Sequence, residues 1–240
     1  MMPEDSGTVG KQNDGGTGTD IVASPRRAAL RAYRGEIVFG VALVLYAALA
    51  AFAHLYAYFP WDLRLERNIQ SITLPGFATL MRVVSTLGNG WVPVAAVSIT
   101  VLALIVARLS IEGLVCAIGV ASGAGVNRLF KAWISRPRPT QPLVQVAYDV
   151  AHESFPSGHV VFFIGFFGFL FFLSYVLVKP SAMRRTALGL FGTLIALVGV
   201  SRVYLGAHWP SDVLGAYLAG GMWLMLMIEA YRKLKSRQRS

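Results

Sequence analysis

The chain has 240 residues, of which 55% are hydrophobic and only 14% are charged. A soluble globule of this length needs more polar side chains to cover its surface, so the composition favours a membrane protein. The formal net charge of +10 could suggest nucleic acid binding. The cations lie at the ends of apolar runs, however, and this distribution argues against a nucleic-acid partner. The single cysteine, Cys116, excludes an intramolecular disulfide.

Residues 1–24 are rich in Gly, Thr, Asp and Ser and contain few bulky apolar side chains. Such a segment cannot bury enough surface to become ordered, so we expect a disordered cytoplasmic tail. No apolar segment with a small-residue cleavage site precedes the first long apolar run, which argues against a cleaved signal peptide. Residues 25–240 are expected to form one membrane domain.

A bilayer core about 30 Å thick requires roughly 20 apolar residues in a helix. Six segments come close to this length: Ile37–Phe59, Trp91–Ala107, Ile111–Phe130, Val160–Val178, Thr186–Val203 and Val213–Tyr231. The sequence therefore predicts an all-α fold, an integral membrane bundle of six transmembrane helices. The third segment is rich in glycine, which allows neighbouring helices to approach closely.

The long connection Pro60–Gly90 mixes charged and apolar residues and is interrupted by Pro75-Gly76. This pattern predicts one or two short amphipathic helices that lie at the membrane interface.

Three short segments hold the side chains that phosphoryl transfer requires. They run from Lys131 to Pro139, from Pro156 to His159 and from Ser201 to Asp212. Together they contain two histidines, one carboxylate and several cations. A phosphate ester needs cations for its oxygens, a nucleophile for phosphorus and an acid for the leaving oxygen, and needs no metal if the protein supplies the charge.

The three segments resemble the signature of the type 2 phosphatidic acid phosphatase (PAP2) superfamily, in its bacterial membrane lipid phosphatase branch. That signature reads Lys-x6-Arg-Pro, Pro-Ser-Gly-His and Ser-Arg-x5-His-x3-Asp, and all eleven positions are filled here. Because each residue type makes up roughly 5% of ordinary composition, eleven ordered matches are not expected by chance. The resemblance implies a membrane enzyme that removes phosphate from a lipid phosphate or diphosphate.

His208 and Asp212 are four residues apart, so both would lie on one face at the start of the last helix. Asp212 can then hold one imidazole nitrogen and leave the other as a nucleophile. His159 opens the fourth helix and could protonate the leaving oxygen. The sequence alone leaves open which histidine attacks; the family resemblance makes His208 the nucleophile and His159 the acid.

Lys131, Arg138 and Arg202 are costly at a membrane boundary unless they are paired or functional, and we expect all three to bind the phosphate. Ser157 and Gly158 precede the fourth helix at its positive end, where backbone amides favour an anion. We expect these two residues to contact the phosphate as well.

Three further polar residues in or near these motifs have alternative roles. Arg136 is expected either to support the site from behind or to contact lipid headgroups. Ser201 is expected to hold a loop or the neighbouring arginine in place. Glu153 is expected to be a solvated loop charge, with contact to a substrate headgroup as the alternative. His54 and His152 have no metal-ligand spacing, so neither a metal nor another cofactor is expected.

The positive-inside bias predicts cytoplasmic termini. Fourteen of the 22 cations fall on one side of the six predicted spans: Lys11, Arg26, Arg27, Arg31, Arg34, Arg108, Lys179, Arg184, Arg185, Arg232, Lys233, Lys235, Arg237 and Arg239. The order of the spans then brings Lys131, His159, Arg202 and His208 to the outer face. The expected location is a bacterial inner membrane with the site on the periplasmic side.

The leading hypothesis is a membrane phosphatase whose substrate is a polyprenyl diphosphate such as undecaprenyl diphosphate, phosphatidylglycerophosphate or phosphatidate. An alternative enzyme would transfer the same phosphate to a sugar or lipid hydroxyl. A transporter is the alternative from another class, but it would need charges near the centres of the spans. The expected partners are the lipid substrate and membrane lipids, and no obligate protein partner is implied.

Overall fold

A computed structural model of the protein describes residues 25–148 and 153–239, with side chains described from Tyr33 onward. The predicted tail, residues 1–24, lies outside this part. The chain divides into two compact units, Met1–Ile37 and Val38–Ser240. The first unit contributes the start of the first helix, and the second contains all other elements and the candidate site.

The described residues form helices and loops, without a strand, and the all-α prediction is confirmed. In chain order the helices are α1 (Pro25–Leu55), α2 (Pro60–Gln70), α3 (Phe77–Thr86), α4 (Val92–Val106), α5 (Ser110–Ile134), α6 (Gly158–Leu177), α7 (Ala182–Tyr204) and α8 (Pro210–Arg239).

Five of the described helices, α1, α5, α6, α7 and α8, are long and apolar enough to cross a membrane. The second predicted span corresponds to α4, which is apolar but has only 15 residues. At 1.5 Å per residue it extends about 22 Å, less than a bilayer core of about 30 Å. An integral membrane bundle is therefore supported, while the count of six spans stays a prediction.

Helix α6 lies at the centre of the second unit, where it packs against α5, α7 and α8. Its aromatic side chains Phe163, Phe166 and Phe169 are almost completely buried. Helix α5 approaches α8 closely at Gly123, where an added Cβ would lie 2.8 Å from Nε1 of Trp223. Glycine at this position lets the two helices pack, as the glycine-rich sequence predicted.

The connection Pro60–Gly90 forms two helices, α2 and α3, as the sequence predicted. Helix α3 packs against α7, and α2 packs against both α7 and α8. Each buries polar residues: Asp62 and Glu66 on α2, and Ser85 on α3. These helices therefore send side chains into the bundle, which their amphipathic pattern had not indicated.

Candidate active site

The three sequence motifs meet at one cavity of about 800 Å³. Its polar end carries six predicted site residues: Lys131, Arg138, Gly158, His159, Arg202 and His208. Its other end is lined by small and apolar side chains of α5, α6 and α8: Gly119, Val120, Gly123, Phe162 and Trp223. The cavity thus joins a cationic end to an apolar end within the helix bundle.

His208 lies just before α8 and is only 2% exposed. Its Nδ1 is 3.6 Å from Oδ2 of Asp212, and its Nε2 is 3.2 Å from Nη1 of Arg138. Burial, and then the charges of Arg138 and Lys131, hold the pKa of His208 well below its usual range. The imidazole is therefore neutral at pH 7, which is the state a nitrogen nucleophile needs.

Asp212 is fully buried behind His208 in the first turn of α8. Its Oδ2 accepts hydrogen bonds from the backbone N–H of Trp209 at 2.9 Å and from the hydroxyl of Ser154. Its Oδ1 accepts a hydrogen bond from Nη1 of Arg136 at 2.6 Å. Both carboxylate oxygens are thus held, and one of them faces the imidazole. Ser154 is a site residue that the sequence reasoning missed.

His159 lies in the first turn of α6, and its Nε2 is 2.8 Å from Oδ1 of Asn89. An amide oxygen only accepts hydrogen bonds, so His159 donates through Nε2–H. Gly88, the residue before Asn89, leaves room for the imidazole ring of His159, because a Cβ added to Gly88 would lie 2.3 Å from Cδ2 of His159. The contact between His159 and Asn89 was not predicted, although the small residues on either side of Asn89, in Gly88-Asn89-Gly90, were a signal in the sequence.

The loops before α6 and α8 hold two of the predicted phosphate ligands. Lys131 donates from Nζ to the carbonyls of Glu153 and Ser154, and Arg138 donates to the carbonyls of Ala207 and Glu153. Burial, and then repulsion by Arg202, lower the pKa of Arg138. A bound anion would relieve both effects, so this end of the cavity favours a phosphate.

Arg202 on α7 donates from Nη1 to the hydroxyls of Ser85 and Tyr148, both at 2.5 Å. Neither hydroxyl was among the residues singled out in the sequence. The hydroxyl of the adjacent Ser201 donates to the carbonyl of Met81 at 2.6 Å. Ser201 therefore fixes α7 to α3, in keeping with the holding role expected for it.

Ser157 and Gly158 lie where α6 begins. The backbone N–H of Ser157 donates to the carbonyl of Asp212 at 3.3 Å, and its buried hydroxyl has no hydrogen-bond partner among the residues that the structure describes. Gly158 lines the cavity, as does Glu153. Direct contact of Ser157 and Gly158 with phosphate stays a prediction.

Arg136 does not reach lipid headgroups, which corrects one of the two roles considered for it. Its side chain is completely buried and forms ion pairs with Asp62 and Asp212, at 3.0 and 2.6 Å. The sequence could not reveal this, because Asp62 comes from α2, 74 residues earlier in the chain.

Among the side chains that the structure describes, no group of three or more His, Cys, Asp or Glu residues is placed to hold a metal ion. His54, in α1, lies against the backbone, with its Nδ1 3.2 Å from the carbonyl of Ile134. His152 falls outside the described residues. Metal independence of the reaction stays a prediction.

Comparison with known proteins agrees with the family resemblance of the three motifs. A family model described as the PAP2 superfamily matches residues 112–236. Phosphatidylglycerophosphatase B of Bacillus subtilis is 28% identical over 200 residues, which cover 80% of this chain and 94% of that relative. Decaprenylphosphoryl-5-phosphoribose phosphatase of Mycobacterium tuberculosis is 29% identical over 143 residues, 58% of this chain and 72% of the relative.

A solved structure has the same fold. The crystal structure of a transmembrane PAP2 type phosphatidylglycerolphosphate phosphatase from Bacillus subtilis superimposes with a TM-score of 0.71 at 26% identity. The match covers 81% of this chain and 96% of that one. The similarity therefore extends well beyond the three motifs, to the helical framework that carries them.

Proposed function

Because the chain belongs to the PAP2 superfamily, we propose that it is a membrane phosphatase that hydrolyses a phosphate from a lipid headgroup through a phosphohistidine. The observation that carries the proposal is the placement of His208. Its buried, neutral imidazole is backed by Asp212 and lies beside Arg138 at the cationic end of the cavity. A nucleophile, an acid and fixed positive charges thus share one site.

In the first step, Nε2 of His208 attacks phosphorus while the bond from phosphorus to the lipid oxygen breaks. The leaving oxygen takes a proton from His159, and the phosphate remains on His208. Lys131, Arg138 and Arg202 stabilise the charge on the three equatorial oxygens.

In the second step, water attacks the phosphohistidine and loses a proton to His159. Inorganic phosphate leaves, and His208 returns to the neutral form. The two steps restore both histidines, so no external acid, base or metal is consumed.

The shape of the cavity supports a lipid as the substrate. A volume of about 800 Å³ far exceeds what a phosphate group needs, and much of the remaining lining consists of small and apolar residues of the bundle, beside Asn127 and Arg128. The start of a hydrocarbon tail fits that chemistry. We propose phosphatidylglycerophosphate as the first candidate, since the relative with that name matches 80% of this chain. Polyprenyl diphosphate and phosphatidate are the other candidates.

The sequence bias of the cations supports cytoplasmic termini and a site at the outer face of a bacterial inner membrane. In that arrangement the phosphate would be removed from lipids of the outer leaflet.

The proposal is tested by phosphate release from purified protein in detergent. The substrates are phosphatidylglycerophosphate, phosphatidate, undecaprenyl diphosphate and a soluble sugar phosphate. We expect inorganic phosphate from at least one lipid with kcat/KM at least tenfold above that for the sugar phosphate. His208→Ala should be inactive and His54→Ala should retain activity. No release from any lipid, or phosphate found on an added alcohol in place of water, would contradict the proposal.

A further inference from the structure

Arg136 is not among the residues that line the cavity, unlike Lys131, Arg138 and Arg202. Its side chain is completely buried, and its Nε donates to the backbone carbonyls of Tyr56 and Ala57. Nη1 donates to Oδ1 of Asp212 at 2.6 Å and to the hydroxyl of Ser211 at 2.7 Å. Nη2 donates to Oδ2 of Asp62 at 3.0 Å. The guanidinium therefore bridges two carboxylates.

Asp62 in turn ties α2 to the start of α8. Its Oδ1 accepts from the backbone N–H of Ser211 at 2.8 Å, and its Oδ2 accepts from the Ser211 hydroxyl at 2.7 Å. Oδ2 also accepts from the backbone N–H of Phe59 at 3.0 Å, which fixes the beginning of α2. The carboxylate that receives Arg136 is thus itself immobilised.

We propose that Arg136 and Asp62 are positioning residues, which hold the carboxylate of Asp212 in the orientation that steers His208 toward phosphorus. The inference rests on the proposed function, because it needs His208 as the nucleophile. Arg136 occupies Oδ1 of Asp212, which leaves Oδ2 toward the imidazole. Without that anchor the carboxylate can rotate, and one buried charge loses its partner.

Glu66 lies one turn after Asp62 on α2 and is also fully buried. Within the described part of the chain, neither of its carboxyl oxygens has a hydrogen-bond partner. Burial, and then the charges of Asp212 and Asp62, raise the pKa of Glu66 to about 9. Glu66 is therefore uncharged at neutral pH, so it adds no third negative charge beside Asp62 and Asp212.

The test is a double-mutant cycle with Arg136→Met and Asp212→Asn, measured on p-nitrophenyl phosphate and on the preferred lipid. If Arg136 acts through Asp212, its removal lowers kcat on the order of 10²-fold and changes KM by about twofold at most. In the Asp212→Asn background, Arg136→Met should then cost no more than about threefold further, because the carboxylate it positions is gone.

Arg64→Met is the matched control. Arg64 is an exposed arginine on α2 that donates to the carbonyl of Pro60, at 3.4 Å. Its loss should leave kcat within about twofold in both backgrounds. Thermal unfolding in detergent reports whether each variant is folded. If Arg136→Met does not fold, Asp62→Asn replaces it in the cycle, with an expected loss of about tenfold that again vanishes in the Asp212→Asn background.

Independent losses that multiply in the double variant would overturn the inference, and so would a rise in KM with kcat unchanged. Full activity of a folded Arg136→Met variant would also overturn it. If the wild-type protein releases no phosphate from any lipid, the proposed function fails. If the wild-type protein is active and the losses multiply, the positioning role alone is wrong.

Discussion

Two regions of the site use cations in opposite ways. In the first region, Lys131 and Arg202 meet neutral partners among the described residues: backbone carbonyls and the hydroxyls of Ser85 and Tyr148. In the second, Arg136 lies between the carboxylates of Asp62 and Asp212. Neutral oxygens orient a cation without cancelling its charge, whereas carboxylates neutralise it.

This difference separates the cations that are expected to bind phosphate from the arginine that supports Asp212. Among the described residues, no carboxylate forms an ion pair with Lys131 or Arg202 beside the cavity, where a phosphate can supply negative charge. The second region has no charge left for a ligand, and its geometry fixes the carboxylate behind His208.

The largest effects are expected at the two histidines, which should differ in kind. His208→Ala should be inactive on every substrate, because no phosphoenzyme can form. His159→Ala should still be phosphorylated by p-nitrophenyl phosphate, whose leaving group needs little protonation, and should then stall without its base. A burst of nitrophenol followed by near arrest, with acid-labile phosphate on the protein, is the expected record. Trapped phosphate on His208→Ala would instead exchange the two roles.

The next effect compares the binding region with the supporting region. Arg202→Ala should reduce kcat by about 10²–10³-fold and should weaken inhibition by vanadate, an analogue of five-coordinate phosphorus, because a cation beside the anion is lost. Arg136→Met should lower kcat while the inhibition constant for vanadate stays within about threefold. Inhibition assays on both variants check this. If inhibition by vanadate weakens equally in the two variants, the two regions do not differ in their role.

The sequence predicted the helices and motif residues of the site, but it did not predict the contacts that support them. Apolar run length predicted the long helices, because a bilayer imposes a minimum length on each span. Motif spacing paired His208 with Asp212, since a helix places residues four apart on one face, and the Pro-Ser-Gly-His motif singled out His159. The structure brings both to one cavity, with the expected cations around them.

The supporting contacts could not be predicted because they join distant segments. Asn89, Ser85 and Tyr148 touch motif side chains 54 to 117 residues away. Arg136 and Arg138 also look alike in sequence, as two arginines each followed by proline. Only the position of α2, which brings Asp62 to Arg136, shows that the two arginines have different partners.

A smaller effect is expected where the loop between α3 and α4 touches His159. In Gly88→Ala, the new Cβ would lie 2.3 Å from Cδ2 of His159, so the ring or the loop must shift. A displacement of about 1 Å at a catalytic group can cost up to about 10²-fold, and we expect a loss of about 10- to 100-fold in kcat. Gly189→Ala on α7, where an added Cβ meets nothing within 4 Å, is the matched control. Wild-type turnover by Gly88→Ala would show that His159 tolerates displacement.

The smallest effect on turnover is expected at Glu66, whose change should appear in stability instead. The pKa of Glu66 is about 9 in the folded protein, against an ordinary value of 4.5. Between these values the folded protein keeps a proton that the unfolded chain has lost, so folding stability falls as pH rises, by about 1.4 kcal/mol per pH unit.

Glu66→Gln lacks this titration and is nearly isosteric with the neutral acid. From pH 6 to pH 8 the wild-type protein should therefore lose about 2–3 kcal/mol more than the variant, or roughly 5–10 °C in Tm. Thermal unfolding of both proteins in the same detergent at the two pH values measures the difference. Parallel pH dependence of the two would mean that Glu66 is already ionised at pH 6.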